Sequence, residues 1–547
     1  MNSLSKRCRQ VSGWAFPKVV SHALGVSCTW FSLSAAAAAN DLSDHTTERF
    51  SGAANCAFCH DQWSGALIDS RGRDVSITSD WRGTMMAHSF KDPFWRATME
   101  AEVRENPDHK AFIEDKCLTC HAPMARAEAR EQGSEKLAYH EARKFPLAQE
   151  GVGCTLCHQI EPGNLGAPES FTGQFALGKE RLIYGPYEDV VTMPMRRHVD
   201  YTPTFGKHTQ DSALCGTCHT LFTPVLGADG KVAGQFPEQT PFLEWRHSGF
   251  AAEGTHCQDC HLPRLDEPIK ISARPPWLDA REPFWRHQFA GGNVFMLRLL
   301  LANGRALEAN AEPSHFEALI KESRAQLARA AELQATARRE SGLVILETQV
   351  INRTGHKFPT GHPYRRAWLH VTLKDRRGRV LFESGGFDRQ GHIRGLDAAY
   401  PPHYDVITRP EEVQVYQAIM GDLQGKPTWS LLRGAALLKD NRLPPRGFDP
   451  QAPDRELIAI RGEAAQDPNF HREQGGGDQV TYRISVPERT GPLTAEIELL
   501  YQPVPPEAVA RLLSADSPEA KVFTRLYRRA DKTPERVHGI SVDLPAS

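Results

Sequence analysis

Ten of the twelve cysteines fall in five copies of one pattern: Cys56-Ala-Phe-Cys59-His60, Cys117-Leu-Thr-Cys120-His121, Cys154-Thr-Leu-Cys157-His158, Cys215-Gly-Thr-Cys218-His219 and Cys257-Gln-Asp-Cys260-His261. A random chain with 12 Cys and 23 His in 547 residues would show roughly 0.01 copies of Cys-x-x-Cys-His, the attachment signature of c-type haem. The spacing suits that chemistry. Two thiols reach the two vinyl groups of one porphyrin while the next residue brings an imidazole to the iron. Zinc would want two cysteine pairs or a Cys2His2 set, and neither zinc, a redox dithiol nor disulfides explain a histidine after every pair. The expected cofactor is therefore five haem c groups, held through these ten sulfurs with His60, His121, His158, His219 and His261 on the irons.

The second axial position of each iron must be filled from the remaining 18 histidines. His88, in Trp81-Arg-Gly-Thr-Met-Met-Ala-His88, has no helix-face reason to be an imidazole. His198 and His208 flank Pro203 ahead of the fourth motif, and His287 precedes Gly291-Gly292, where backbone can approach a porphyrin closely. His356, in Asn352-Arg-Thr-Gly-His356-Lys-Phe-Pro-Thr-Gly361, lies between two expected strands and could reach from a β-domain to a haem. Its competing reading is a locally hydrogen-bonded turn residue. His109, His140, His247, His256 and His362 are expected to be solvated or hydrogen-bonded, and Met85, Met86 and Met124 to pack rather than ligate. Arg365 and Arg366 could pair with haem propionates.

These residues need a scaffold. The length implies two or three domains, and 40 % hydrophobic residues, 24 % charged residues and a mean hydropathy of −0.47 describe a soluble globular chain. Lys+Arg 65 against Asp+Glu 67 leaves no basic excess for a nucleic acid partner. Lys6, Arg7, Arg9 and Lys18, then the apolar Val19–Leu33, then Ala37-Ala38-Ala39 read as a signal peptide over 1–39, so the chain is expected in the periplasm or otherwise exported. A lipid anchor on Cys28 is the weaker reading, because Gly25-Val26-Ser27 lacks the usual large aliphatic residue. No later stretch is apolar enough to span a membrane.

All five motifs lie in a segment expected over 40–311, mostly short helices and loops around haems that supply much of the buried apolar surface. The motif starts are 61, 37, 61 and 42 residues apart, a hint of a two-haem unit used twice. Pro313 with Ser314-x-x-Glu317 opens an amphipathic linking helix over 312–340, carrying Phe316, Leu319, Ile320, Ser323, Leu327 and Ala330 at three- and four-residue steps. From 341 to 547 the period becomes two, as at Leu369/Val371/Leu373, Val480/Tyr482/Ile484 and Leu493/Ala495/Ile497/Leu499, predicting an antiparallel β-sandwich. The fold class is α+β.

The segments "WRGTMMAHSFKDP", "CHAPM", "GVGCTLCH", "CGTCH" and "CQDCHLP" resemble the periplasmic multihaem cytochromes of the cytochrome c-554 and hydroxylamine oxidoreductase group. The C-terminal "NRTGHKFPTGHPYRRAWLHV" and "LLKDNRLPPRGF" resemble a β-domain attached to other multihaem cytochromes. The resemblance implies electron transfer through closely stacked, mostly bis-histidine haems. It does not carry over a catalytic haem, since every motif here ends in His and no tyrosine stands out as a crosslink.

The expected function is thus electron transfer through five haems. The alternative is an oxidoreductase acting on a small nitrogen or sulfur compound at one open iron, and a third reading is a binding module built on the β-domain. Partners would be redox proteins, either other cytochromes or a quinol-oxidising complex. No Gly-x-Ser-x-Gly elbow or phosphate-binding loop supports hydrolysis or nucleotide chemistry. Asp440 and Asp478 are expected to be plain solvated acids.

Overall fold

The computed structural model describes residues 42–546 except 397–398, 472–474 and 489; the segment 1–39 expected to be a signal peptide, with Cys8 and Cys28, lies outside the described residues. No described helix is long and apolar enough to cross a membrane. In the motif-bearing half the helices are short. Pro93–Glu105 is among the longer ones, opened by Pro93 and by the Asp92 carboxylate, which accepts from the Phe94 and Trp95 amides, as an N-cap should. Lys110–His121 follows it and ends on the second motif.

Each motif sits on or at the end of a helical turn: Ala53–His60, Lys110–His121, Cys154–Cys157, Ser212–Gly216 and Cys257–His261. A three-residue step puts both sulfurs of a pair on one helix face, and the next residue turns its imidazole beside them.

The expected linking helix is shorter than its sequence suggests. It spans Pro313–Ala330, burying Phe316, Leu319, Ile320, Ser323, Leu327 and Ala330, and residues Ala331–Glu340 form a strand instead. That strand pairs along its whole length with Leu343–Asn352 across a turn at Gly342, whose φ of 68° suits glycine. Ala- and Arg-rich residues favour helix by intrinsic propensity, but pairing and burial of Ala331 and Leu333 override it.

Two sheets follow. One orders Val406–Ile407, Gly477–Ser485, Leu343–Asn352 and Ala331–Glu340. The other orders Ala436–Asp440, Val415–Gly421, Arg366–Asp375, Leu493–Gln502 and Glu535–Leu544, with Val380–Ser384 also on Arg366–Asp375. Leu346 and Val350 of the first sheet share one apolar cluster with Val371, Leu373 and Ile497 of the second, the arrangement of a sandwich. The sandwich is antiparallel except where Val406–Ile407 runs parallel to Thr481–Tyr482.

The sheet region is not a detached module. Phe94, Ala97 and Phe236 of the motif-bearing half belong to the sandwich's own core, and Phe523 of helix Pro518–Arg529 packs on Phe94. The expected boundary at 311/341 therefore separates two styles of structure inside one compact unit.

Candidate functional site

The ten motif cysteines form no disulfide. Their sulfurs bring the motifs together out of chain order: the Cys154 thiol is within hydrogen-bonding reach of Cys56, Cys120 of Cys218, and Cys215 of Cys257, and Cys157 acts electrostatically on Cys215 and Cys218. The first motif thus meets the third, and the fourth meets the second and the fifth, while the third acts on the fourth only electrostatically. Burial pushes the Cys157 thiol up to about 11, the opposite of a poised dithiol or a zinc thiolate.

The motif imidazoles are oriented before any iron is considered. His60 Nδ1 bonds the Ile271 carbonyl at 2.9 Å, His121 that of Ser89 at 2.9 Å, His158 that of Tyr184 at 2.6 Å, and His261 that of Ala290 at 2.7 Å. A carbonyl only accepts, so Nδ1 carries the proton and the Nε2 lone pair is left to ligate a metal. Burial first, then the neighbouring His261 and Arg365 charges, holds His219 down at about 4, neutral at physiological pH, as a ligand must be.

Two further histidines face motif histidines. His287 stands opposite His158 with ring centroids 6.2 Å apart and 20° between planes, and His356 stands opposite His261 at 6.3 Å and 20°. His287 Nδ1 bonds the Trp285 carbonyl at 3.0 Å and His356 Nδ1 that of Lys357 at 2.8 Å, so both again present Nε2. An iron between two such nitrogens, at about 2.0 Å from each and with about 1.1 Å more to each ring centre, needs about 6.2 Å between centroids. Burial lowers His287 and His356 to about 4. The residues fit a haem iron at these two places, and the free thiol pairs fit its covalent attachment.

His356 is held by a buried ionic network. Lys357 Nζ bonds Asp440 at 2.6 Å, Arg442 bonds the same carboxylate at 2.8 and 2.7 Å, and Arg442 also reaches Glu244 at 3.2 Å. Glu244, on helix Pro241–Arg246 of the motif-bearing half, accepts from the Lys357 amide at 3.1 Å and the Thr360 hydroxyl at 2.6 Å. Burial alone would raise the Asp440 carboxyl, but Arg442 and Lys357 outweigh it and hold it at about 2.

The other expected ligands are placed differently. His88 is fully buried, but its Nδ1 bonds the Thr84 carbonyl at 2.8 Å and its Nε2 accepts from the Asn310 amide at 3.3 Å, so its lone pair is occupied within the core. His208 spends Nε2 on the Ile160 carbonyl at 2.9 Å and packs edge-on to Tyr184. His198 is exposed on helix Thr192–Val199 and stacks on Phe58 at 4.4 Å; it faces no motif imidazole among the described residues.

His362, expected to be an ordinary polar residue, is instead enclosed, its imidazole lowered to about 3 by burial, then by Arg365 and His121. The signal available in the sequence was the repeated Gly-His, Gly355-His356 and Gly361-His362, on one loop.

Arg365 bonds the Thr360 carbonyl at 2.7 Å, and its charge acts on His219, His261, His356 and His362. Arg366 faces away, as alternation along a strand requires, and is buried against Glu507 at 3.2 Å and Gln502 at 3.0 Å. Asp440 and Asp478 are fully buried, contrary to the expectation of solvated acids, because Arg442 and Lys357 pair with the one and Gln414 and Tyr416 donate to the other.

His403, Asp467 and Asp478 gather closely enough for a metal ion, but the tautomer opposes one. Gln414 and Asn441, their amides fixed by Tyr404 and Gln417, both donate to His403 Nδ1. Its Nε2 therefore carries the proton and donates to Asp467 at 2.9 Å.

Residues 55–159 match the family model described as cytochrome c554 and c-prime. The fold is similar to that of a penta-heme cytochrome c552 from Thermochromatium tepidum, at 17 % identity and a TM-score of 0.51, covering 86 % of this chain and 96 % of that one. No curated protein matches the sequence significantly. Residues 55–159 thus carry the cytochrome c554 match, and the chain as a whole has a fold similar to that of a penta-heme cytochrome c, consistent with its repeated attachment motifs and inward-facing imidazoles.

Proposed function

We propose that the chain carries five covalently attached haems and conducts electrons between redox proteins of the bacterial cell envelope, after export directed by residues 1–39. The observation that supports this reading is the packing of motif on motif, first on third and fourth on second and fifth, with Cys157 of the third motif within electrostatic reach of Cys215 and Cys218 of the fourth. Porphyrins bonded to thiols packed in this way would lie close enough for electrons to pass between them without diffusing parts.

Each bound haem supplies a one-electron ferric/ferrous couple. The protein's own groups do the rest. His158 with His287, and His261 with His356, would hold an iron between them, and iron so held would supply electron transfer. The Nδ1 bonds fix each ring and raise its basicity, and the low-dielectric surroundings keep the imidazoles neutral. His362, enclosed within electrostatic reach of His121, is the candidate second ligand of the iron at the second motif, and Arg365 could compensate propionate charge. Other cytochromes or a quinol-oxidising complex are the partners this chemistry suits.

The test is purification from a host competent in cytochrome maturation. The expected product is red, carries the mass of five haems and shows low-spin iron. A colourless product without added mass would end the haem reading. A high-spin iron that binds small ligands would favour the oxidoreductase alternative.

A further inference from the structure

The chain is nearly neutral overall, yet one exposed helix is strongly basic on a single face. On Pro518–Arg529, Lys521, Arg525, Arg528 and Arg529 point to solvent while Ala520, Phe523, Leu526 and Tyr527 are buried. With Leu513 and Ala515 from the preceding segment, the four basic residues line a groove of about 410 Å³. Lys521 pairs with Asp516 at 2.5 Å, but Arg525, Arg528 and Arg529 make no ion pair among the described residues. Neighbouring carboxylates are already committed: Glu519 to Arg143 and Tyr139, and Glu102 and Glu105 to Arg511. Three uncompensated guanidiniums along one groove repel each other and are relieved by an anionic partner.

What lies beneath the groove ties it to the redox centres. Phe523, on the buried face of the same helix, packs on Phe94 at 5.4 Å. The adjacent Trp95 stacks on the His121 imidazole at 4.3 Å with 7° between planes. Three aromatic side chains, Phe523, Phe94 and its chain neighbour Trp95, therefore link the basic helix to the His121 imidazole of the second motif.

We propose that this groove docks an acidic electron-transfer protein that exchanges electrons with the haem attached at Cys117 and Cys120. One electron leaves the partner's reduced centre, which is oxidised, and reduces the ferric iron; no bond or proton is transferred. This rests on the electron-transfer function proposed above. A membrane surface fits less well, because an interfacial helix turns its apolar face to the lipid, whereas here that face is built into the core and none of the exposed large apolar residues lies on the helix.

The test uses the full haem-loaded chain and two reductants: an acidic plant-type ferredoxin, and a neutral reduced flavin. Arg525→Glu with Arg528→Glu and Arg529→Glu is compared with the parent by stopped-flow absorbance. Ferredoxin should reduce the parent about tenfold or more faster than the variant at low salt, and the parent's advantage should disappear at high salt. The flavin should reduce both equally, which shows that the haems and the electron-transfer function are intact. If flavin reduces neither protein, the electron-transfer reading has failed rather than the docking site. Equal, salt-insensitive ferredoxin rates in both proteins would overturn the docking proposal. Loss of anionic-vesicle binding in the variant with unchanged ferredoxin rates would overturn it in favour of a membrane contact.

Discussion

Between Phe50 and Phe289 most buried apolar residues fall into small separate clusters, such as Phe50 with Met124, Leu147 and Leu156, or Leu67 with Val75, Ile269 and Phe284. From Ala331 onward one cluster runs through both sheets and reaches back to Phe94 and Phe236. The first region has the architecture of a protein that borrows its core from cofactors; the second makes its own. The lesson is that histidines can be contributed by either style of structure, but their precision has different origins. His287 rides on a loop of the borrowed-core region, whereas His356 is fixed by a buried ionic network anchored in the sandwich.

Removing a haem should break this comparison open most widely. Cys154→Ala with Cys157→Ala is expected to delete one haem mass and to raise protease sensitivity first around the third motif and its neighbouring small clusters, as limited proteolysis with mass spectrometry would show. Next in size is Asp440→Ala, which strands Lys357 and Arg442 in the interior and is expected to cost about 3–5 kcal/mol in chemical denaturation. The same network has a pH signature. The Asp440 carboxyl is held at about 2 in the fold, below its unfolded value of about 3.9. Its contribution is therefore complete above about pH 4 and is lost as pH falls toward 2. A shallower acid-unfolding slope in Asp440→Asn checks this.

Single ligands sharpen the comparison locally. His287→Ala and His356→Ala should each convert one iron from low to high spin in electron paramagnetic resonance, and His88→Ala should convert none. At the small end, Arg338→Ala removes an exposed pair with Glu347 and is expected to leave the unfolding midpoint unchanged.

Much of the site was legible early because haem attachment is a local pattern: two thiols and an imidazole within five residues identify themselves in one dimension. The strands around Leu369, Tyr482 and Ile497 were equally legible from alternation. Ala331–Glu340 was not, because its residues favour helix and only the partner strand Leu343–Asn352 decides otherwise. Glu535–Leu544, which closes one sheet, alternates in sequence only over Ile540, Val542 and Leu544, too short a run to announce the whole strand. Among the second ligands, context could rank histidines but not orient them. His88 and His287 look alike in sequence, and what separates them is which backbone group meets Nε2.

The sequence by itself pointed to porphyrin attachment, to the cysteines that would carry it and to the imidazoles that would be proximal, because covalent spacing is a property of neighbours in the chain. Only the tertiary structure decided which motifs touch, which distant histidine faces which, and that a loop of the sandwich reaches the fifth motif. Those depend on the direction of lone pairs and on contacts between residues a hundred or more positions apart, and no linear spacing encodes a direction in space.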